Sequence, residues 1–87
     1  MNYKPATKSL IEFLKKEGYI PIFKKATNKD ECDCIAITER VYIDIEPEDY
    51  FRVCRQDKGH RTCWLKEKHA DSIILSVKKA IDSQKPL

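Results

Sequence analysis

Apolar residues recur at helical spacing near the beginning of the chain and predict a first helix from about Pro5 to Glu17. Proline is tolerated at a helix start, because its missing N–H would have no partner there. Ser9 offers a second possible start, since Glu12 follows it at capping-box spacing. Gly18 can end the helix by adopting the left-handed conformation. The apolar stripe consists of Leu10, Ile11, Phe13 and Leu14.

A second helical stripe near the end of the chain predicts a helix from about Asp71 to Ser83, with Asp71 as its N-cap. Lys85–Leu87 is predicted to be a frayed tail. Charged residues alternate with the stripe and are expected to face solvent. The stripe consists of Ile73, Ile74, Val77, Ala80 and Ile81.

Three strands are predicted between the helices, at 19–26, 32–37 and 41–45. Pro21 cannot donate to a ladder, so the first of these strands belongs at an edge of the sheet. A three-residue loop, Thr38 to Arg40, joins the second and third strands. It places their isoleucines on one face, with cysteine, tyrosine and acidic residues on the other.

A hairpin is predicted next, formed by Tyr50 to Gln56 and Arg61 to Lys66. With Lys58 and Gly59 as the central turn residues, Cys54 lies opposite Cys63 as a cross-strand neighbour. The same register pairs Val53 with Trp64 and Phe51 with Lys66.

The sequence therefore predicts one α+β domain over residues 1–87, ordered as a helix, about five strands and a helix. Short connections between sequential strands favour an antiparallel sheet, with both terminal helices on one of its faces. The predicted core consists of Leu10, Phe13, Leu14, Ile35, Ile37, Ile43, Val77 and Ile81.

The distribution of charge and glycine excludes several functional classes. Two glycines are too few for a phosphate-binding loop. No apolar run is long enough for a signal peptide or a membrane span, so the cytoplasm is the expected compartment. The overall charge of +3 divides into +5 over residues 1–29, −7 over residues 30–50 and +5 over residues 51–87. Such a two-signed surface favours a protein partner over plain nucleic-acid binding.

The four cysteines are expected to be reduced thiols in a reducing compartment. A disulfide between Cys54 and Cys63 is one alternative. A zinc-stabilised module is the other, although neither cysteine pair has Cys-x-x-Cys spacing. His60 or His69 could supplement that site, whose ligands would be Cys32, Cys34, Cys54 and Cys63.

An enzyme is not expected from this sequence, and no cofactor or small-molecule substrate is indicated. A metal-dependent nuclease would gather carboxylates such as Asp33, Asp44 and Glu46, but position 48 is Glu instead of the lysine often found there. A Cys–His pair with His60 is the other catalytic hypothesis, and it has no third group to orient it.

The hairpin is the predicted binding site. Residues 51–69 have a net charge of +4 with aromatic residues interspersed, and cations are expected on both faces of the hairpin. We therefore expect a stand-alone regulator or inhibitor that contacts a nucleic-acid-handling protein, in the manner of a small phage or mobile-element accessory protein. Direct nucleic-acid binding is the alternative. The candidate contact residues are Arg52, Arg55, Lys58, His60, Arg61, Trp64 and Lys66.

Overall fold

The computed structural model describes residues 3–82 and has the predicted architecture of a helix, a five-stranded antiparallel sheet and a helix. The strands follow one another across the sheet in chain order. The elements are α1 (Pro5–Lys16), β1 (Ile22–Lys24), β2 (Cys34–Ala36), β3 (Val41–Glu46), a 3-10 turn (Pro47–Asp49), β4 (Tyr50–Asp57), β5 (His60–Cys63) and α2 (Ala70–Asp82).

The helix ends differ from the predicted ones in two places. α1 starts at Pro5, so the alternative start at Ser9 is wrong, and it ends before Gly18, whose φ of 94° requires a residue without a Cβ. α2 begins at Ala70, which puts Asp71 inside the first turn instead of at the N-cap. Its negative charge still suits the positive end of the helix dipole. The predicted end at Ser83 and the predicted tail lie outside the described residues.

The first strand is shorter than its apolar pattern suggests. β1 contains only Ile22–Lys24 and lies at an edge of the sheet, as predicted. Pro21 has no N–H to continue the ladder towards the preceding residues. On the other side, the Ala26 N–H donates to a carboxylate oxygen of Asp33 at 2.8 Å, instead of to a strand carbonyl.

The predicted registers are confirmed at both tight connections. Ile35 pairs with Ile43 across β2 and β3, and Cys54 pairs with Cys63 across β4 and β5. The predicted pairing of Phe51 with Lys66 is wrong, because Phe51 exchanges both backbone hydrogen bonds with Glu67. The Trp64 N–H donates to the Val53 carbonyl. Between this bond and the pairing of Phe51 with Glu67, residues 65 and 66 of one strand lie opposite the single residue 52 of the other. This arrangement is a β-bulge.

Both helices cover the same face of the sheet, and the core lies between them and that face. Five of the eight predicted core residues are buried, whereas Phe13 and Ile37 are half-buried. Ile81 is 37% exposed, so its place in the core is wrong; it lies in the last turn of α2, beside the exposed β2–β3 loop. The buried apolar residues are Leu10, Ile11, Leu14, Ile35, Val41, Ile43, Phe51, Val53, Cys54, Ile73, Ile74, Val77 and Ala80.

The two helices of the described segment are also too short to cross a bilayer. α1 has 12 residues and α2 has 13, and neither provides a long apolar stretch. A helix needs about 20 apolar residues to span the hydrocarbon core.

Candidate functional site

The sheet has a second face, which neither helix covers and which we call the open face. Alternation along each strand and the observed pairings place on it the polar positions of the three central strands and the cations of the hairpin. Its central residues are Cys34, Tyr42, Asp44, Glu46, Tyr50, Arg52, Cys54, Arg61 and Cys63.

Arg61 is at the centre of a charged cluster on the open face. Its Nη2 atom donates to the Asp44 carboxylate at 2.6 Å, and its guanidinium carbon lies 5.6 Å from the centre of the Tyr42 ring. The Arg61 side chain is 51% exposed, whereas that of Asp44 is only 16% exposed. A partner can therefore reach the guanidinium while Asp44 and Tyr42 hold it in place.

The protonation of Asp44 depends on two opposing effects. Burial raises the pKa of its carboxyl above the ordinary value, and the nearby Arg61 partly offsets this rise. The folded protein therefore retains a proton at a pH at which the unfolded chain has released it. This group consequently lowers stability as the pH rises from its ordinary pKa through the raised one.

Replacing Arg61 by glutamine is expected to raise the pKa of Asp44 further, since the substitution removes the first of the influences that lower it. The measurement is the carboxyl ¹³C shift of Asp44, followed by NMR against pH in the wild type and the variant. A lower titration midpoint in Arg61→Gln would contradict the described ion pair.

A second cationic cluster lies beside the bulge. The ammonium groups of Lys66 and Lys68 lie 5.5 and 5.2 Å from the centre of the Tyr50 ring, and both lysines are exposed. An ammonium group over an aromatic face is attracted by the ring quadrupole. The cluster thus combines positive charge with an aromatic surface.

Arg55 is directed into the protein, so the expectation of cations on both hairpin faces is wrong. The residue is 8% exposed and lies on the face that the helices cover. Its Nε donates to both oxygens of Asp57 at 3.0 and 3.1 Å, and its Nη1 donates to the Ala80 carbonyl at 2.6 Å. These bonds give Arg55 a structural role between the hairpin and α2.

The other predicted contact residues are distributed around the hairpin. Lys58 and His60 are exposed at its turn, where Gly59 has a φ of 71°. Arg52 and Trp64 are half-buried, and Trp64 packs against the core. The hairpin therefore carries Arg61 on the open face and Lys66 beside the bulge, in two separate clusters, while Lys58 and His60 form its tip.

Two of the four cysteines are not free thiols. Cys54 and Cys63 form a disulfide with their Cα atoms 4.1 Å apart, so the expectation of four reduced thiols is wrong. The predicted register explains the bond, because directly opposed residues at a non-hydrogen-bonded position have the closest side chains. Cys32 and Cys34 remain free.

The residues considered for catalysis do not form one centre. Asp33 accepts from the Ala26 N–H and Asp44 pairs with Arg61. Within residues 3–82, no three His, Cys, Asp or Glu side chains converge to hold a metal ion. The pKa of the Cys34 thiol is raised, first by burial and then by Asp44. A raised pKa leaves little of the nucleophilic thiolate at neutral pH.

Tyr42, Tyr50 and Lys68 belong to these clusters but were not among the predicted contact residues. The sequence did contain a signal for Tyr42. The β2–β3 register puts it on the polar face, and the hairpin register then brings Arg61 next to it. The bulge that displaces Lys66 and Lys68 towards Tyr50 has no such signal in the sequence.

No protein-family model, curated protein or solved structure matches this chain.

Proposed function

We propose that this chain is a non-enzymatic binding module that regulates or inhibits a protein partner by covering part of its surface. The proposed contact surface is the open face together with the hairpin tip. One observation carries this proposal: exposed cations are held over tyrosine rings beside partly buried carboxylates on a sheet face that the protein's own helices leave uncovered. Arginine and tyrosine are enriched at interface positions that contribute most to binding.

The mixture of charges favours a protein over nucleic acid as the partner. Asp44 and Glu46 lie on the same face as Arg61, so a phosphate backbone following the cations would pass close to both carboxylates. Nucleic-acid binders generally present a basic stripe without such acids. A protein surface can supply both signs in matching positions, which fixes orientation as well as attraction.

The rigidity of the hairpin also supports a binding role. Cys54 and Cys63 link its two strands, and Arg55 ties it to α2. Side chains that are already positioned lose less conformational freedom when a complex forms. The cytoplasm and a nucleic-acid-handling partner remain the proposed setting. Because disulfides are rare in that compartment, binding should be measured with and without a reductant.

Changing Arg61, Lys66 and Lys68 together to glutamine is expected to weaken partner binding by at least about 2 kcal/mol, or about thirtyfold in Kd. The physical reason is the loss of three exposed cations from one surface. The partner is first captured from lysate with and without nuclease treatment, and the affinity of the purified pair is then measured. The melting temperature is expected to fall, because Arg61→Gln removes the ion-pair partner of the partly buried Asp44. Affinity is therefore compared at a temperature at which circular dichroism shows both proteins to be folded.

The matched control is a triple substitution of Lys8, Lys25 and Lys29 to glutamine, which removes the same charge from exposed positions away from the hairpin. It should leave the affinity nearly unchanged. Equal losses of affinity in the two triple variants would mean that binding depends on net charge and not on the proposed surface. Loss of capture after nuclease treatment would show that the chain binds nucleic acid directly.

A further inference from the structure

A cleft of about 490 Å³ lies between the end of the hairpin and α2, beside the open face. The bulge shapes this region, because residues 65 and 66 leave the regular ladder opposite Arg52. Backbone pairing resumes only at Glu67, which leaves a gap along the edge of β4. The lining residues are Arg52, Cys63, Trp64, Leu65, Glu67, Ser76 and Lys79.

Two buried donors that belong to lining residues of this cleft have no acceptor within the described chain. They are the Nε of Arg52 and the Nε1 of Trp64, and across residues 3–82 no other buried side-chain nitrogen or oxygen lacks a hydrogen-bond partner. A buried N–H without an acceptor has given up its hydrogen bond to water and gained none in return, which destabilises the fold. Such groups are rare in folded proteins and call for a physical explanation. Their occurrence on two lining residues of one cleft indicates an acceptor that comes from outside the chain.

The charge of the lining indicates that this acceptor is an anion. Arg52 and Lys79 supply two positive charges and Ser76 a hydroxyl, whereas Glu67 is the one acid among the lining residues of the described chain. Hydrogen bonds from a guanidinium to a carboxylate are charge-assisted and about twice as strong as neutral ones. The indole of Trp64 and the 83% exposed side chain of Leu65 add an apolar wall.

We infer that this cleft binds a carboxylate, namely a glutamate side chain that the partner inserts between the hairpin and α2. Both nitrogens are covered in the unbound chain, so the Arg52 and Trp64 side chains turn towards the cleft when the carboxylate oxygens accept from them. The methylene groups lie against Trp64 and Leu65. Glu67 disfavours a doubly charged phosphate at the same position. This inference rests on the proposed function, since it assigns an anchoring residue to the proposed protein partner.

The test uses a small probe and requires no partner protein. The chain has a single tryptophan, so the indole ¹⁵N–¹H signal of Trp64 is unique. N-acetylglutamate amide is expected to shift this signal along a saturable curve. N-acetylglutamine amide, which has the same shape without the charge, should shift it at least tenfold less at equal concentration. Equal shifts from the two amides, or tighter binding of inorganic phosphate at the same ionic strength, would overturn the assignment.

Two cleft variants and one control variant show where the probe binds. Arg52→Gln should raise the Kd of N-acetylglutamate amide at least tenfold. Lys25→Gln is the control, because Lys25 follows β1 at the opposite edge of the sheet, and it should change the Kd less than twofold. Trp64→Phe removes the second donor, and its binding is followed through the backbone amide signals of Ser76 and Lys79. Unchanged affinity in both cleft variants would refute the site. The probe could bind while partner capture does not depend on Arg61, Lys66 and Lys68. That result would contradict the proposed function but still support a carboxylate site in the cleft.

Discussion

Replacing Ile35 by alanine is expected to lower the free energy of unfolding by about 2–5 kcal/mol. Ile35 is fully buried at the centre of β2 and pairs with Phe23 on one side and Ile43 on the other. The smaller side chain removes apolar contacts and leaves a cavity that neighbouring strands can only partly fill. Urea denaturation followed by circular dichroism measures the loss.

Ile22 provides a matched control for this substitution. It lies on β1, is 56% exposed and pairs with Ala36 on the open face, so Ile22→Ala removes the same atoms without leaving a buried cavity. The control should lose about 0.5 kcal/mol or less. If Ile35→Ala also lost only about 0.5 kcal/mol or less, the two faces of β2 would have been assigned incorrectly.

The faces of the sheet could be predicted because two tight connections set them. A three-residue loop between β2 and β3 puts Ile35 opposite Ile43, and the turn at Lys58 and Gly59 puts Cys54 opposite Cys63. Each turn is a local feature of the sequence, and a one-residue slip would bury polar side chains. Local turn chemistry and the need to bury the apolar side chains therefore predict the same register.

The bulge could not be predicted in this way. No glycine or proline marks positions 65 and 66 in the sequence. The extra residue is set by the pairing of Glu67 with Phe51, which is a tertiary contact. The cleft beside Arg52 depends on the bulge, so this part of the candidate site was also inaccessible from the sequence.

Arg55 shows the limit of an argument from charge. Alternation placed it correctly on the face opposite Arg52 and Arg61, but its charge suggested a surface residue. Arginine is rarely buried unless it is paired. Here Asp57 and the Ala80 carbonyl supply the partners, and the second of these lies 25 residues away in α2. A sequence pattern carries no information on such a distant partner.

Replacing Arg55 by methionine is therefore expected to affect stability more than it affects partner contacts. Methionine keeps much of the length and the apolar stem, but it cannot donate to Asp57 or to the Ala80 carbonyl. That carbonyl belongs to the last turn of α2, where four carbonyls have no partner within the helix. Hydrogen bonds from a charged group are worth about 1.5–3 kcal/mol, and we expect a loss of unfolding free energy in that range.

Arg40 is the matched control, because its Nη1 also pairs with Asp57, at 3.4 Å, but its side chain is 63% exposed, against 10% for Arg55. Arg40→Met should lose only about 0.2–1 kcal/mol, as exposed ion pairs do. Both values come from urea denaturation monitored by circular dichroism at the same pH and salt concentration. If Arg55→Met keeps wild-type stability but loses partner affinity, Arg55 acts as a contact residue after all. If the two variants lose the same stability, the bond to the Ala80 carbonyl contributes little.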